Sequence, residues 1–134
     1  MFAPRPAVVT NELARVLKPG GILAFSTWPQ ELFMGKFFKL IEDFSPPLPV
    51  EVKSPVLWGD IKIIQERLAN QFEKIEFGRD TMYAPTMSPG HMLKLFEKNA
   101  GPLTNLVTAL RDDPTKLTEL RNSVLDLILS LIHI

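Results

Sequence analysis

Apolar residues recur along this chain with two different periods. Val9, Leu13, Val16 and Leu17 stand at i, i+4, i+7 and i+8, which is one face of a helix over residues 7–17. Pro6 suits its first turn, Lys18 places a cation at its C-terminal end, and Pro19-Gly20-Gly21 terminates it. Residues 22–28, Ile-Leu-Ala-Phe-Ser-Thr-Trp, then form a nearly continuous apolar run that reads as a strand covered on both faces, stopped by Pro29. Helical spacing returns over residues 31–44, with Phe33, Phe37, Leu40, Ile41 and Phe44 on one face. Residues 45–59 hold the breakers Pro46-Pro47, Pro49, Pro55 and Gly59. They also hold Val50, Val52, Val56, Leu57 and Trp58, so they read as an ordered excursion that must bury those side chains.

Asp60 is placed to cap a third helix that turns Ile61, Ile64 and Leu68 inward. Residues 72–77 intersperse Phe72, Ile75 and Phe77 with charged residues and read as a half-exposed strand, with Gly78 as a bulge and Thr81, Met82 and Tyr83 continuing it. Beyond that the spacing is helical. Ser88-Pro89 and Asp113-Pro114 are start signals, a cap followed by proline in the first helical position. The first of these helices ends near Gly101. A short helix carries Leu103, Leu106, Val107 and Leu110, and the last turns Leu117, Leu120, Val124, Leu127 and Ile128 inward. Helices alternating with two strands predict an α/β fold that is mostly helical by residue count. Two strands are too few to close a sheet, so the pattern predicts part of a larger one.

Composition narrows the chemistry. Fifteen basic and fifteen acidic residues give zero formal charge, and no basic stripe exists for tracking phosphates, so nucleic acid is not an expected partner. The chain has no cysteine, which excludes disulfides, thiolate catalysis and zinc–sulfur sites. The longest apolar run, residues 124–134, is interrupted by Asp126 and is shorter than the roughly 20 residues a bilayer requires. A cytoplasmic protein without a membrane partner is expected.

The segment Glu12-Leu13-Ala14-Arg15-Val16-Leu17-Lys18-Pro19-Gly20-Gly21, followed at once by an apolar run, resembles the helix D–turn–strand 5 segment of class I S-adenosylmethionine-dependent methyltransferases. Phe25-Ser26-Thr27-Trp28, Gly35, Pro46-Pro47, Ser54-Pro55 and Leu57-Trp58-Gly59 are similar to a subgroup acting on small molecules. The resemblance covers about residues 1–128 and implies a partial Rossmann-like sheet holding strands 5 and 6 only. Residues 1–44 would be helix D, strand 5 and helix E; residues 45–84 the excursion, a helix and strand 6; residues 85–128 a helical insertion. The family's cofactor motif, a glycine-rich loop followed by an acidic residue that holds the ribose, has no counterpart here, and neither does strand 7. The chain is therefore expected to be truncated at both ends. Residues 129–134 resemble translated adapter sequence and are set aside as a non-native tail.

The resemblance also implies site residues. Phe2 and Pro4 match the loop after strand 4, beside the cofactor. Trp28, at the C-terminal end of the expected strand 5, is either a wall of the acceptor pocket or a core aromatic. Tyr83 and Met87 precede the insertion helix and either line an acceptor cavity or do not take part. His91, in the first turn of a helix, is a surface or capping histidine or a substrate-side group. Asp112-Asp113 and Glu42-Asp43 read as a helix cap and a solvated helix end, and neither recurs with histidine at metal spacing, so no metal site is expected. The expected function is that of a fragment of a small-molecule methyltransferase, using S-adenosyl-L-methionine in the intact parent and inactive as an isolated chain. The rival is a non-enzymatic helical interaction module, favoured by the helical stretch from Ser88 onward.

Overall fold

The first helix begins where proline allows it. Pro6 lacks the N–H that an N-terminal helical residue cannot use, and α1 (Pro6–Val16) starts there. The computed structural model describes residues 3, 5–47 and 53–131. It continues with α2 (Phe33–Phe44), a 3₁₀ helix (Pro55–Gly59), α3 (Ile61–Leu68), α4 (Pro89–Asn99), α5 (Gly101–Ala109) and α6 (Pro114–Leu129). Three caps form as their side chains dictate. Asp60 Oδ1 accepts from the Ile63 N–H, Ser88 Oγ from the His91 N–H, and Asp113 Oδ1 from the Lys116 N–H, each at 3.1 Å.

The expected α/β sheet is not formed. Among the described residues 59% are helical and none is in a strand, so neither strand 5 nor strand 6 exists here. The physical reason is pairing. A strand is stabilised by the N–H and C=O groups of a neighbour, and an isolated apolar run lacks that ladder. Residues 22–28 are irregular, with Ile22 88% exposed and Phe25 about half exposed. Residues 72–83 are irregular as well. Phe72 and Ile75 pack on a helical cluster instead of in a sheet. Gly78, expected as a bulge, has no ladder to interrupt.

Gly20 also does a different job from the one its position suggests. Helix α1 ends a turn before it, with Leu17 in an extended conformation. Gly20 has φ +76°, and the Gly21 N–H donates to the Lys18 carbonyl at 2.8 Å. Proline second and a left-handed glycine third are the residues of a tight β-turn, so Lys18–Gly21 turns the chain after the helix has already stopped.

The chain divides into two compact units: Met1–Gly35 with Leu48–Asp80, and Lys36–Pro47 with Thr81–Ile134. The core of the first is Trp58, Ile64 and Leu68, with Val9, Phe72 and Ile75 packed against it. Helix α1 meets α3 here, and Val16, at the far end of the same stripe as Val9, stays exposed. Thr10 is buried because its hydroxyl is satisfied locally, donating to the Ala7 carbonyl at 3.0 Å. In the second unit α4 packs on both α5 and α6. Its buried side chains include Phe37, Phe38 and Ile41 of α2, Leu103 and Leu106 of α5, and Leu120, Val124 and Ile128 of α6. These positions share one face of each helix, as their spacing requires.

Candidate functional site

Helix α4 presents Met92, Leu95, Phe96 and Asn99 at i, i+3, i+4 and i+7, so all four lie on one face. That face, with Ala100, forms one side of an open groove, and Ala84, Pro85 and Thr86 form the other. The groove has a volume of about 280 Å³ and lies wholly within the second unit. Met92 is buried at its base, and the Phe96 ring packs on Phe37 with centroids 5.0 Å apart. No lining residue is charged.

The Ala84–Thr86 wall is irregular backbone, and a small polar network fixes its end to α4. The Met87 N–H donates to His91 Nδ1 at 3.3 Å, and Thr86 Oγ1 lies 3.2 Å from the same nitrogen. The Thr86 hydroxyl donates to the Ser88 carbonyl at 3.0 Å, while Ser88 Oγ caps α4 through the His91 N–H. Because a backbone N–H can only donate, Nδ1 is the acceptor and the neutral ring carries its proton on Nε2. His91 is thus a local brace that holds one wall of the groove against the helix.

The sequence-based site residues separate into two groups. Tyr83 and Met87 flank the groove wall in sequence and, among the described residues, are the most exposed large apolar side chains of the second unit, at 87% and 84%. His91 joins Met87 through the bond described above. Trp28 lies in the first unit and is partly buried, and its carbonyl oxygen sits so close to Gly59 that a Cβ there would overlap it. Its neighbourhood is a packing contact between the Trp28 backbone and the 3₁₀ helix. Phe2 and Pro4 lie outside the described residues, as do Val50 and Val52, which were expected to be buried. The sequence analysis assigns no role to Leu95 or Asn99; the available signal was their spacing of i+3 and i+7 from Met92.

One further polar group stands out in the first unit. The Arg67 guanidinium lies 4.8 Å from the Trp58 ring centroid, and Phe25 meets the same ring edge-on at 5.9 Å. Arg67 Nη1 is buried without a hydrogen-bond acceptor among the described residues. Burial pulls the guanidinium below its ordinary pKa, yet an arginine remains a cation at neutral pH. The ring face offsets part of that desolvation.

The residues present do not fit S-adenosylmethionine. The chain has no Gly-x-Gly-x-Gly loop, and no carboxylate lines the groove to hold ribose hydroxyls. No group of three or more potential metal ligands occurs among the described residues. No helix among them is long and apolar enough to cross a membrane.

No family model matches the chain, and no solved structure matches it. It is similar to an uncharacterized protein of Mycobacterium tuberculosis, 27% identical over 128 residues, and to an uncharacterized protein of Mycobacterium bovis at the same identity. A second uncharacterized M. tuberculosis protein is 23% identical over 128 residues. In each case the match covers 95% of this chain and 47% of the relative. The chain therefore spans about half the length of the curated relatives it matches.

Proposed function

We propose that this chain is part of a cytoplasmic S-adenosylmethionine-dependent methyltransferase and that it supplies the side that receives a small-molecule methyl acceptor. The observation that carries the reading is the uncharged groove between α4 and Ala84–Thr86, in the segment where the family resemblance puts acceptor residues. Two features support it. The Glu12–Gly21 segment resembles the family, and relatives about twice as long leave room for a cofactor-binding portion that this chain lacks. Methyl transfer from a sulfonium asks mainly for alignment and exclusion of water, which an uncharged cleft can provide. His91 then acts by holding the Thr86–Met87 wall, and no proton transfer is assigned to it.

Titration calorimetry with S-adenosylhomocysteine tests the reading on two proteins. The 27%-identical M. tuberculosis relative, taken whole, should bind it, and the 134-residue chain should not. A whole relative that gives no heat of binding sinks the methyltransferase reading. Binding by the short chain would show that it holds a cofactor site of its own.

A second reading, a helical interaction module without catalysis, is favoured by the exposed Met82, Tyr83 and Met87 beside the groove. It expects neither protein to bind S-adenosylhomocysteine.

A further inference from the structure

His91 meets the groove wall through a nitrogen whose role depends on its protons. The Met87 N–H donates to His91 Nδ1 at 3.3 Å, and Thr86 Oγ1 lies 3.2 Å from the same nitrogen. The Thr86 hydroxyl hydrogen is already given to the Ser88 carbonyl, so the Nδ1 lone pair of the neutral ring serves Met87. A second proton occupies that lone pair. Nδ1 then becomes a donor set against another donor, and Thr86 Oγ1 is the neighbour left to accept from it. The Thr86–Met87 peptide is planar, so its N–H cannot turn from the ring without carrying the Thr86 carbonyl with it. Thr86 lines the groove, whereas Met87 is exposed, where water can take up its N–H.

The charges around the ring do not hold a cation in place. Among the described residues His91 forms no ion pair. Its own helix carries Lys94, Glu97 and Lys98, and Glu97 is held by Arg121 of α6 at 2.7 Å. Helix α6 adds Lys116, Glu119 and Asp126, and α5 has no titratable side chain. Helix α2, which meets α4 through Phe37 and Phe96, brings Lys36, Lys39, Glu42 and Asp43, with Lys39 bonded to Asp43. Residues 81–87 add Tyr83. The free N–H groups in the first turn of a helix also oppose a cation there.

We infer that His91 is a proton-operated latch on the groove wall: the neutral ring holds Thr86–Met87 to the start of α4, and the second proton lets that end of the wall go. The latch belongs to this chain alone and needs no methyl donor, so it stands or falls apart from the methyltransferase reading.

The test uses the whole chain labelled with ¹⁵N and with ¹³C-methyl methionine, in a His133→Asn background that leaves His91 as the one histidine. The pH is taken from about 8 to about 5.5, where histidine is the side chain that ordinarily changes charge. At the upper end the ring nitrogens should report the proton on Nε2. As pH falls, the Met87 amide and the Met92 methyl at the groove base should move with the midpoint of the ring, while Met34 in α2 stays in place. Protection of the Met87 amide, corrected for the intrinsic pH dependence of exchange, should fall about fivefold, the worth of one neutral hydrogen bond. His91→Asn keeps an acceptor that does not titrate, so Met87 should stay protected and Met92 unmoved throughout. His91→Leu removes the acceptor, so Met87 should be unprotected at every pH. A Met87 amide that ignores the titration of the ring overturns the inference. So does a neutral ring protonated on Nδ1, or a pH dependence that survives in His91→Asn.

Discussion

Trp58→Ala is the most informative single perturbation of the first unit. Trp58 is 5% exposed, packs with Ile64 and Leu68, meets Phe25 edge-on and carries the Arg67 guanidinium on its face. A tryptophan buries about 200 Å² or more, and at roughly 25 cal/mol per Å² that is about 5 kcal/mol of transfer free energy. The edge-on ring adds about 1 kcal/mol and the cation about 1 kcal/mol. The unfolded chain already covers part of that surface, and the cavity partly collapses, so measured truncations of this kind cost about 3–5 kcal/mol. We expect about 4 kcal/mol. That is a large part of the stability of a unit this small, so the alanine variant should lose most of its protection in α3. Trp58→Phe keeps a ring for Phe25 and Arg67 and should cost about 1–2 kcal/mol, which stays within a measurable folded range. The assay is native-state hydrogen exchange at the Ile64 and Ala69 amides, which donate to Asp60 and Gln65. A loss below about 1 kcal/mol for Trp58→Ala would mean that the Trp58–Ile64–Leu68 cluster is not the core of this unit.

Four smaller outcomes follow from the same structure. Gly59→Ala should destabilise the first unit by about 1–3 kcal/mol, because the new Cβ would overlap the Trp28 carbonyl oxygen and the backbone would have to move; urea unfolding followed by tryptophan fluorescence reads it. Leu120→Ala, at a side chain with no exposed surface, should cost about 3 kcal/mol in the second unit, whereas Glu119→Ala on the exposed face of the same helix should stay within about 0.5 kcal/mol, both by urea unfolding. Ser88→Ala should remove about 1 kcal/mol from the start of α4 and speed exchange of the His91 amide; unchanged exchange would mean that the cap is not formed in solution. Lys39 is held above its ordinary pKa by its hydrogen bond to Asp43, so whatever this exposed pair contributes is present below the ordinary lysine range and is lost as pH rises through the raised value. Lys39→Gln should flatten that alkaline loss in the exchange of α2 amides.

Helices α1, α3, α4 and α6 were legible in the sequence because local chemistry announces their starts. Asp60, Ser88 and Asp113 cap their helices with their own side chains, and Pro6, Pro89 and Pro114 open theirs where a missing N–H costs nothing. The buried stripes of α5 and α6 were legible for the same reason: Leu103 and Leu106, or Leu120, Val124 and Ile128, fall on one face at 3.6 residues per turn whatever lies opposite. The candidate site was only partly legible. Met87 and His91 stood out as residues near a helix start, but nothing local places Ala84–Thr86 across from Leu95 and Asn99 to make a groove.

The failure of the sheet expectation has the same origin. An apolar run such as Ile22–Trp28 states that its side chains favour burial and that its backbone tolerates extension. Whether it becomes a strand depends on a partner's hydrogen bonds, and those come from residues distant in sequence. Helical hydrogen bonds close within four residues, so the sequence by itself determined the caps at Asp60, Ser88 and Asp113 and the inward faces of α5 and α6. Only the tertiary structure decided that residues 22–28 and 72–83 stay irregular, that Val16 and Ile61 remain exposed while Thr10 is buried, and that one face of α4 is left open as a groove.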